Sequence, residues 1–287
     1  MEEAQALRGQ GGPRPPLLKG EGRQDSPEGL RVKALIETVL ARSSKPVLTV
    51  PSTSTVREAA EFMASAGVRR LAVTEEGRVI GIFSAYHLVR ILATGADPSS
   101  LRVSEAGLEV PAFLEPTATL LEAAKVMASN NVTSVIVGSE TNPLGILTTH
   151  DVVAALAMSA LGSRPLSGAL VKSYPYVDLG ATLLEAAQAM ISKGTSGVLV
   201  LDGDLLIGVL TVREVVARYA REGQEGLMTR VSELPVPPGA YIDEGATVSE
   251  AARVMEEEGV DVAPVLCGGR VCGAVDDITL TRWLASS

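Results

Sequence analysis

The chain has 287 residues, 46% of them apolar but only 3% aromatic, and a net charge of −9. That acidity excludes nonspecific nucleic-acid binding and docking on an anionic membrane, and it means that any anionic ligand needs a local cluster of donors. No basic segment leads into an apolar run, and no apolar run is long enough to span a bilayer, so a cytoplasmic protein is expected.

Residues 1–29, typified by Gly11-Gly12-Pro13-Arg14-Pro15-Pro16, carry too little apolar surface to offset ordering entropy and are expected to form a disordered tail. Val32, Leu35, Ile36, Val39 and Leu40 recur at helical spacing and predict a docked helix within an N-terminal segment, 30–44.

A repeat then begins. Thr55, Glu58, Ala59, Ala60 and Met63 recur in the same spacing from Thr119, Thr182 and Thr247, at intervals of 64, 63 and 65 residues. A glycine follows each threonine by 26 residues: Gly81, Gly145, Gly208 and Gly273. Thr with Glu three residues on is a capping box that satisfies two orphan donors at a helix start. The apolar positions that follow form one stripe ending in Met, with small alanines that let the helix lie close to a sheet.

Extended segments precede each box, at Pro46–Val50, Val110–Leu114, Tyr176–Val177 and Tyr241–Ile242. Apolar strands follow it, with Leu71-Ala72-Val73 as the first, and turns such as Asp202-Gly203 lead into a second strand and a closing helix, as at Val152–Leu161. The unit is β-α-β-β-α, giving an α/β (α+β) fold of four copies: 45–95, 96–161, 162–221 and 222–287, the last three including linkers. Arg102-Val103-Ser104-Glu105 and Arg230-Val231-Ser232-Glu233 each lie 17 residues before the Thr of repeats two and four. The chain thus reads as a duplicated pair, jointed at Leu161–Gly168. Phe113, Tyr176 and Tyr241 share one register and are expected in the core. Cys267 and Cys272 flank Gly268-Gly269-Arg270; two thiols cannot build a structural zinc site, and free thiols are expected in a cytosol.

This pattern resembles the CBS (cystathionine β-synthase) domain family. The resemblance spans roughly residues 45–285 and rests on the Thr-to-Met block, the apolar strand after it, and Gly-x-x-[Ser/Thr]-x-x-[Asp/Glu] in fixed register. Four copies are similar to the γ subunit of AMP-activated protein kinase. The resemblance implies two Bateman modules, packed into a flat disc, that bind AMP, ADP or ATP as regulatory ligands between paired repeats, without catalysis or a catalytic cofactor.

In the family, a hydroxyl three residues after the glycine and an Asp six after it contact the nucleotide. Repeat two matches with Thr148 and Asp151, flanking Thr149 and His150; repeat three has Thr211 and Glu214; repeat one has Ser84 and His87. Repeat four has Asp276 and Thr279, with the acid displaced, and reads as a helix cap. The same pairs in the other repeats are also good caps for the second helix, and a cap leaves a positive helix end suited to phosphate. Basic residues at the start of the second strand reach phosphates in the γ subunits; here that position holds Arg69-Arg70, with Thr133-Ser134, Ser196-Gly197 and Asp261-Val262 as its equivalents. Asp261 should repel phosphate.

The expectation is an energy-sensing regulatory protein that recognises an adenosine nucleotide and passes its occupancy to an effector protein, with a homodimer as one possible arrangement. The alternatives are an interaction scaffold with decayed sites and a sensor of S-adenosylmethionine. No P-loop, metal cluster or nucleophile elbow argues for an enzyme or a metal site.

Overall fold

The computed structural model describes residues 35–159 and 163–287. The expected tail and the start of the N-terminal segment, together with residue 160 and residues 161–162 of the joint, lie outside these. Helix α1 (Val39–Arg42) leads in. Repeat one is β1 (Thr49–Pro51), α2 (Val56–Ala66), β2 (Arg70–Glu75), β3 (Arg78–Ser84) and α3 (Ala85–Ala93). Repeat two is β4 (Phe113–Leu114), α4 (Leu120–Asn130), β5 (Ser134–Gly138), β6 (Pro143–Thr148) and α5 (Thr149–Ala157). Repeat three is β7 (Tyr176–Asp178), α6 (Leu183–Lys193), β8 (Gly197–Asp202), β9 (Leu205–Thr211) and α7 (Val212–Gly226). Repeat four is β10 (Ile242–Asp243), α8 (Val248–Glu257), β11 (Val262–Cys267), β12 (Arg270–Asp276) and α9 (Asp277–Ala285).

All four capping boxes form. In repeat three Thr182 Oγ1 accepts from the Glu185 N–H at 3.2 Å while the Glu185 carboxylate accepts from the Thr182 N–H at 2.7 Å. The stripe behind each box is buried, as Val56, Ala59, Ala60 and Met63 are in α2. Thr182→Ala strands the Glu185 N–H at the start of α6 and should cost about 1 kcal/mol, read as a lowered urea midpoint with unchanged slope.

Each sheet has three strands, the first parallel to the second and the second antiparallel to the third. One face lies under the repeat's own helices and the other meets a second sheet, because alternate strand residues point to opposite faces. Leu71 and Val73 enter the helix-side core, while Ala72 and Ile82 meet Ile136 of repeat two. Leu199 and Val209 of repeat three likewise meet Val262 and Ala274 of repeat four. The helices close the other contacts: repeats one and three share one core, and repeats two and four share another. The four units therefore form a closed ring in the order one, two, four, three, within a single chain.

Strand exchange inside each module explains the repeat glycine. The segment leading into each repeat crosses the third strand of its module partner: Ile82 N–H donates to Glu109 O, Ile146 N–H to Ser44 O, Val209 N–H to Pro237 O and Ala274 N–H to Val171 O. A Cβ at Gly208 would lie 2.1 Å from Pro237 O, and one at Gly273 would lie 2.4 Å from Val171 O. Only a residue without a side chain admits that crossing. The Arg-Val-Ser-Glu segments serve the same exchange, since Val103 N–H donates to Ser54 O and Val231 N–H to Ala181 O beside the capping threonines.

Two expectations are corrected. Cys267 and Cys272 form a disulfide across the β11–β12 hairpin, whose strands bring their Cα atoms to 5.6 Å. Tyr176 and Tyr241 are 65% and 50% exposed rather than core; β7 is an edge strand whose inward residue is Val177, so its tyrosine faces out. Phe113, in the same register, does pack against the sheet-to-sheet core of the first module. Among the described residues no helix is long and apolar enough to cross a membrane, and no group of three or more His, Cys, Asp and Glu is placed to hold a metal ion.

Candidate functional site

The ring brings the starts of the second strands and of the closing helices to its centre. There they line a cavity of about 510 Å³ to which all four repeats contribute. Of the residues singled out in the sequence, Arg69, Arg70, Ser84, His87, Thr133 and Thr149 line it, whereas Thr148, His150, Asp151, Ser134, Thr211 and Glu214 do not.

Four of the second set bond one another in pairs. Thr148 N–H and Oγ1 both donate to Asp151 Oδ2 at 2.8 Å, and Thr211 N–H and Oγ1 both donate to Glu214 Oε2 at 2.7 Å. Both acids therefore cap their helices. Asp276 does the same for α9, accepting from the Thr279 N–H at 2.8 Å. In repeat one the acid is replaced by His87, whose Nδ1 accepts from the Ser84 N–H at 3.0 Å and lies 2.8 Å from Ser84 Oγ. A backbone N–H can only donate, so the proton of the neutral ring sits on Nε2. Burial, reinforced by Arg90 and Arg70, pushes His87 down to about 4, so the ring is uncharged at neutral pH.

At the heart of the site is Asp261, 3% exposed. It gathers one residue from every other repeat. The Arg69 guanidinium bonds its Oδ2, Arg213 Nη2 donates to the same oxygen at 2.8 Å, and His150 Nδ1 approaches Oδ1 to 3.9 Å. Burial opposes the charge, yet Arg69 and Arg213 outweigh it and hold the carboxyl below its usual range. Asp261, read in the sequence as a residue that should repel phosphate, is here the partner of two arginines. It occupies the register of Arg69 in its own repeat, and the ring brings the two opposite charges together across 192 residues of sequence.

Two further acids join it. Glu109 accepts from the Thr133 N–H at 3.2 Å, from Thr133 Oγ1 at 3.1 Å and from Ser134 Oγ at 3.1 Å. Half-buried Arg70 donates to Thr133 Oγ1 at 3.2 Å and so connects to this carboxylate through the threonine. Thr149 Oγ1 bonds Asp277. Burial, with Asp276 and Asp261 nearby, raises the Asp277 carboxyl to about 6; burial also lowers the Arg70 guanidinium against the opposing pull of Asp277. Glu109 and Asp277 carry no motif, and only their nearness after folding identifies them. Asp261 did leave a trace: an acid and an arginine at equivalent places in two copies of a repeat.

Four residue ranges, 36–94, 105–158, 168–221 and 231–286, match the family model described as CBS domain. The chain belongs to the CBS domain family. Its four CBS repeats superpose on protein MJ1225 of Methanocaldococcus jannaschii, put forward as an archaeal homolog of γ-AMPK, with a TM-score of 0.76, 19% identity, and coverage of 87% of this chain and 100% of that one. In sequence the same protein is 21% identical over 84% of this chain and 96% of its own length. An uncharacterized protein of Pyrococcus horikoshii gives a TM-score of 0.61 at 21% identity, covering 86% of this chain and 100% of that one. An uncharacterized 33.4 kDa protein of Thermofilum pendens is 27% identical over 58% of this chain, which spans 60% of that relative's length. At these identities the solved structures speak for the fold alone: four CBS repeats in one chain.

Proposed function

We propose that this chain is a non-catalytic, ligand-sensing regulatory protein that binds an adenosine nucleotide, AMP, ADP or ATP, at the centre of its CBS ring. The observation that carries this reading is a set of unanswered polar atoms. Arg70 Nε, Ser196 Oγ, Asp261 Oδ1 and Thr281 Oγ1 are buried without a hydrogen-bond partner, and all four residues line the central cavity. A buried polar atom without a partner costs about 1–3 kcal/mol, so a polar ligand that answers several at once is strongly favoured there. Arg69 and Arg70 at the cavity wall supply the affinity for an anionic group, and the likeness to MJ1225, put forward as a γ-AMPK homolog, supports an adenosine nucleotide. Because the cavity touches every repeat, occupancy is coupled to how the two modules sit against each other. The effector protein that reads this state in the cytoplasm belongs to the same proposal.

Thermal unfolding with AMP, ADP, ATP and S-adenosylmethionine tests it. A nucleotide at 100 times its Kd should stabilise the chain by ~2.7 kcal/mol, and Arg70→Gln should abolish that gain. If only S-adenosylmethionine raises the Tm, the ligand is reassigned. A flat response to all four favours the second reading, an interaction scaffold, for which there is one structural argument: Glu109, Asp261 and Asp277 already engage donors at the expected ligand positions.

A further inference from the structure

The centre of the ring holds its own anion. Asp261 bonds Arg69 on one side and Arg213 on the other through a single oxygen, which is how a phosphate oxygen bridges two guanidinium groups. Its second oxygen is left without a hydrogen bond inside the protein. Arg69 and Arg213 keep 32% and 43% of their side-chain surface exposed, whereas Asp261 keeps 4%. The carboxylate is therefore fixed and the arginines reach inward to it. Two other arginines at the wall are engaged as well: Arg90 donates to Ala106 O and Gly107 O, and Arg282 donates to Asn131 Oδ1, while Lys193 also lines the cavity. Against them stand the carboxylates of Glu109, Asp261 and Asp277 in the same lining.

We propose that Asp261 is a tethered counter-anion that a ligand phosphate must displace from Arg69, and that it selects a nucleoside monophosphate over a triphosphate. The inference rests on the nucleotide reading above. One phosphate can take the freed N–H groups of Arg69 and Arg70 while Asp261 keeps its bond to Arg213. Each additional phosphate adds negative charge beside three carboxylates, and of the wall's cations only Lys193 remains to meet it. Asp261→Asn removes the competing charge while preserving shape, so it should strengthen ATP binding roughly tenfold and AMP binding much less.

Isothermal titration of the full chain with AMP, ATP and inorganic tripolyphosphate tests this, with Asp204→Asn as a control for a remote, exposed charge. Wild type preferring AMP, with Asp261→Asn narrowing the AMP-to-ATP ratio roughly tenfold and Asp204→Asn leaving it alone, supports the proposal. A ratio unmoved by Asp261→Asn, or a wild type that already prefers ATP, overturns it. If wild type binds nothing but Asp261→Asn binds ATP and tripolyphosphate, the counter-anion stands, while the selection for a monophosphate and the sensor reading both fall. If neither protein binds any of the three, both fall. Should Asp261→Asn not fold, a crystal structure of wild type with AMP decides: Arg69 on the phosphate and Asp261 on Arg213 alone supports displacement, and an intact Arg69–Asp261 pair beside bound AMP refutes it.

Discussion

Gly208→Ala is expected to destabilise the chain by about 3 kcal/mol, a Tm loss of roughly 6–12 °C. The added Cβ would sit 2.1 Å from Pro237 O and 2.8 Å from Val236 Cγ1. The nearest obstacle is a backbone carbonyl, so no rotamer change relieves it. That carbonyl accepts from the Val209 N–H at 3.2 Å, and Val236 packs against the core shared by repeats one and three. The segment leading into repeat four must therefore lift off strand β9, losing a hydrogen bond and apolar burial together. Gly180→Ala is the matched comparison, because nothing lies within 4 Å of its new Cβ; it should stay within about 0.5 kcal/mol of wild type. Equal midpoints for the two variants in urea would refute the strand-exchange account of the repeat glycine.

Asp277→Asn should stabilise the protein by roughly 3 kcal/mol above pH 7 and leave it nearly unchanged at pH 3.5. The folded chain holds the Asp277 proton more tightly than an ordinary carboxyl does, titrating at about 6 against 3.8. Wild-type stability from this group is therefore present below pH 3.8 and lost as pH rises through about 6, whereas asparagine never ionises. Asparagine also keeps an oxygen to accept from Thr149 Oγ1, which bonds Asp277 in wild type. His87 carries the opposite slope. Its folded value of about 4 against 6.5 means that stability is present above pH 6.5 and lost as pH falls toward 4. The two slopes nearly cancel in the wild type, so its own pH profile is a poor probe. The difference between wild type and Asp277→Asn isolates the aspartate, because His87 contributes equally to both. A pH-independent difference in urea unfolding between pH 4 and pH 7 would refute the assignment.

These two predictions draw on different layers of information. The glycine stood out in the sequence, at a fixed offset from each capping threonine, but its reason did not. The reason is the Pro237 carbonyl, which arrives from another repeat. Asp277 had no sequence signal, because a buried acid beside Thr149 exists only once repeats two and four have packed helix to helix. Thr148 and Asp151 show the converse. Their spacing suits both a ligand contact and a helix cap, and the hydrogen bonds between them belong to the cap.

The repeating unit and its number are legible in the order of residues alone. Capping boxes, alanine-lined stripes and tight hairpins are local devices whose partners lie within a few residues, so four β-α-β-β-α copies follow from pattern alone. Which copies touch, and what meets at the centre, emerge from packing. Each unit offers a sheet face and a helix face, and the sequence of one unit does not say whose face will cover it. Once sheets pair within modules and helices pair between them, Arg69, His150, Arg213 and Asp261 converge from four repeats. Coulomb attraction acts over distance in space, and the fold alone makes residues 192 positions apart into neighbours.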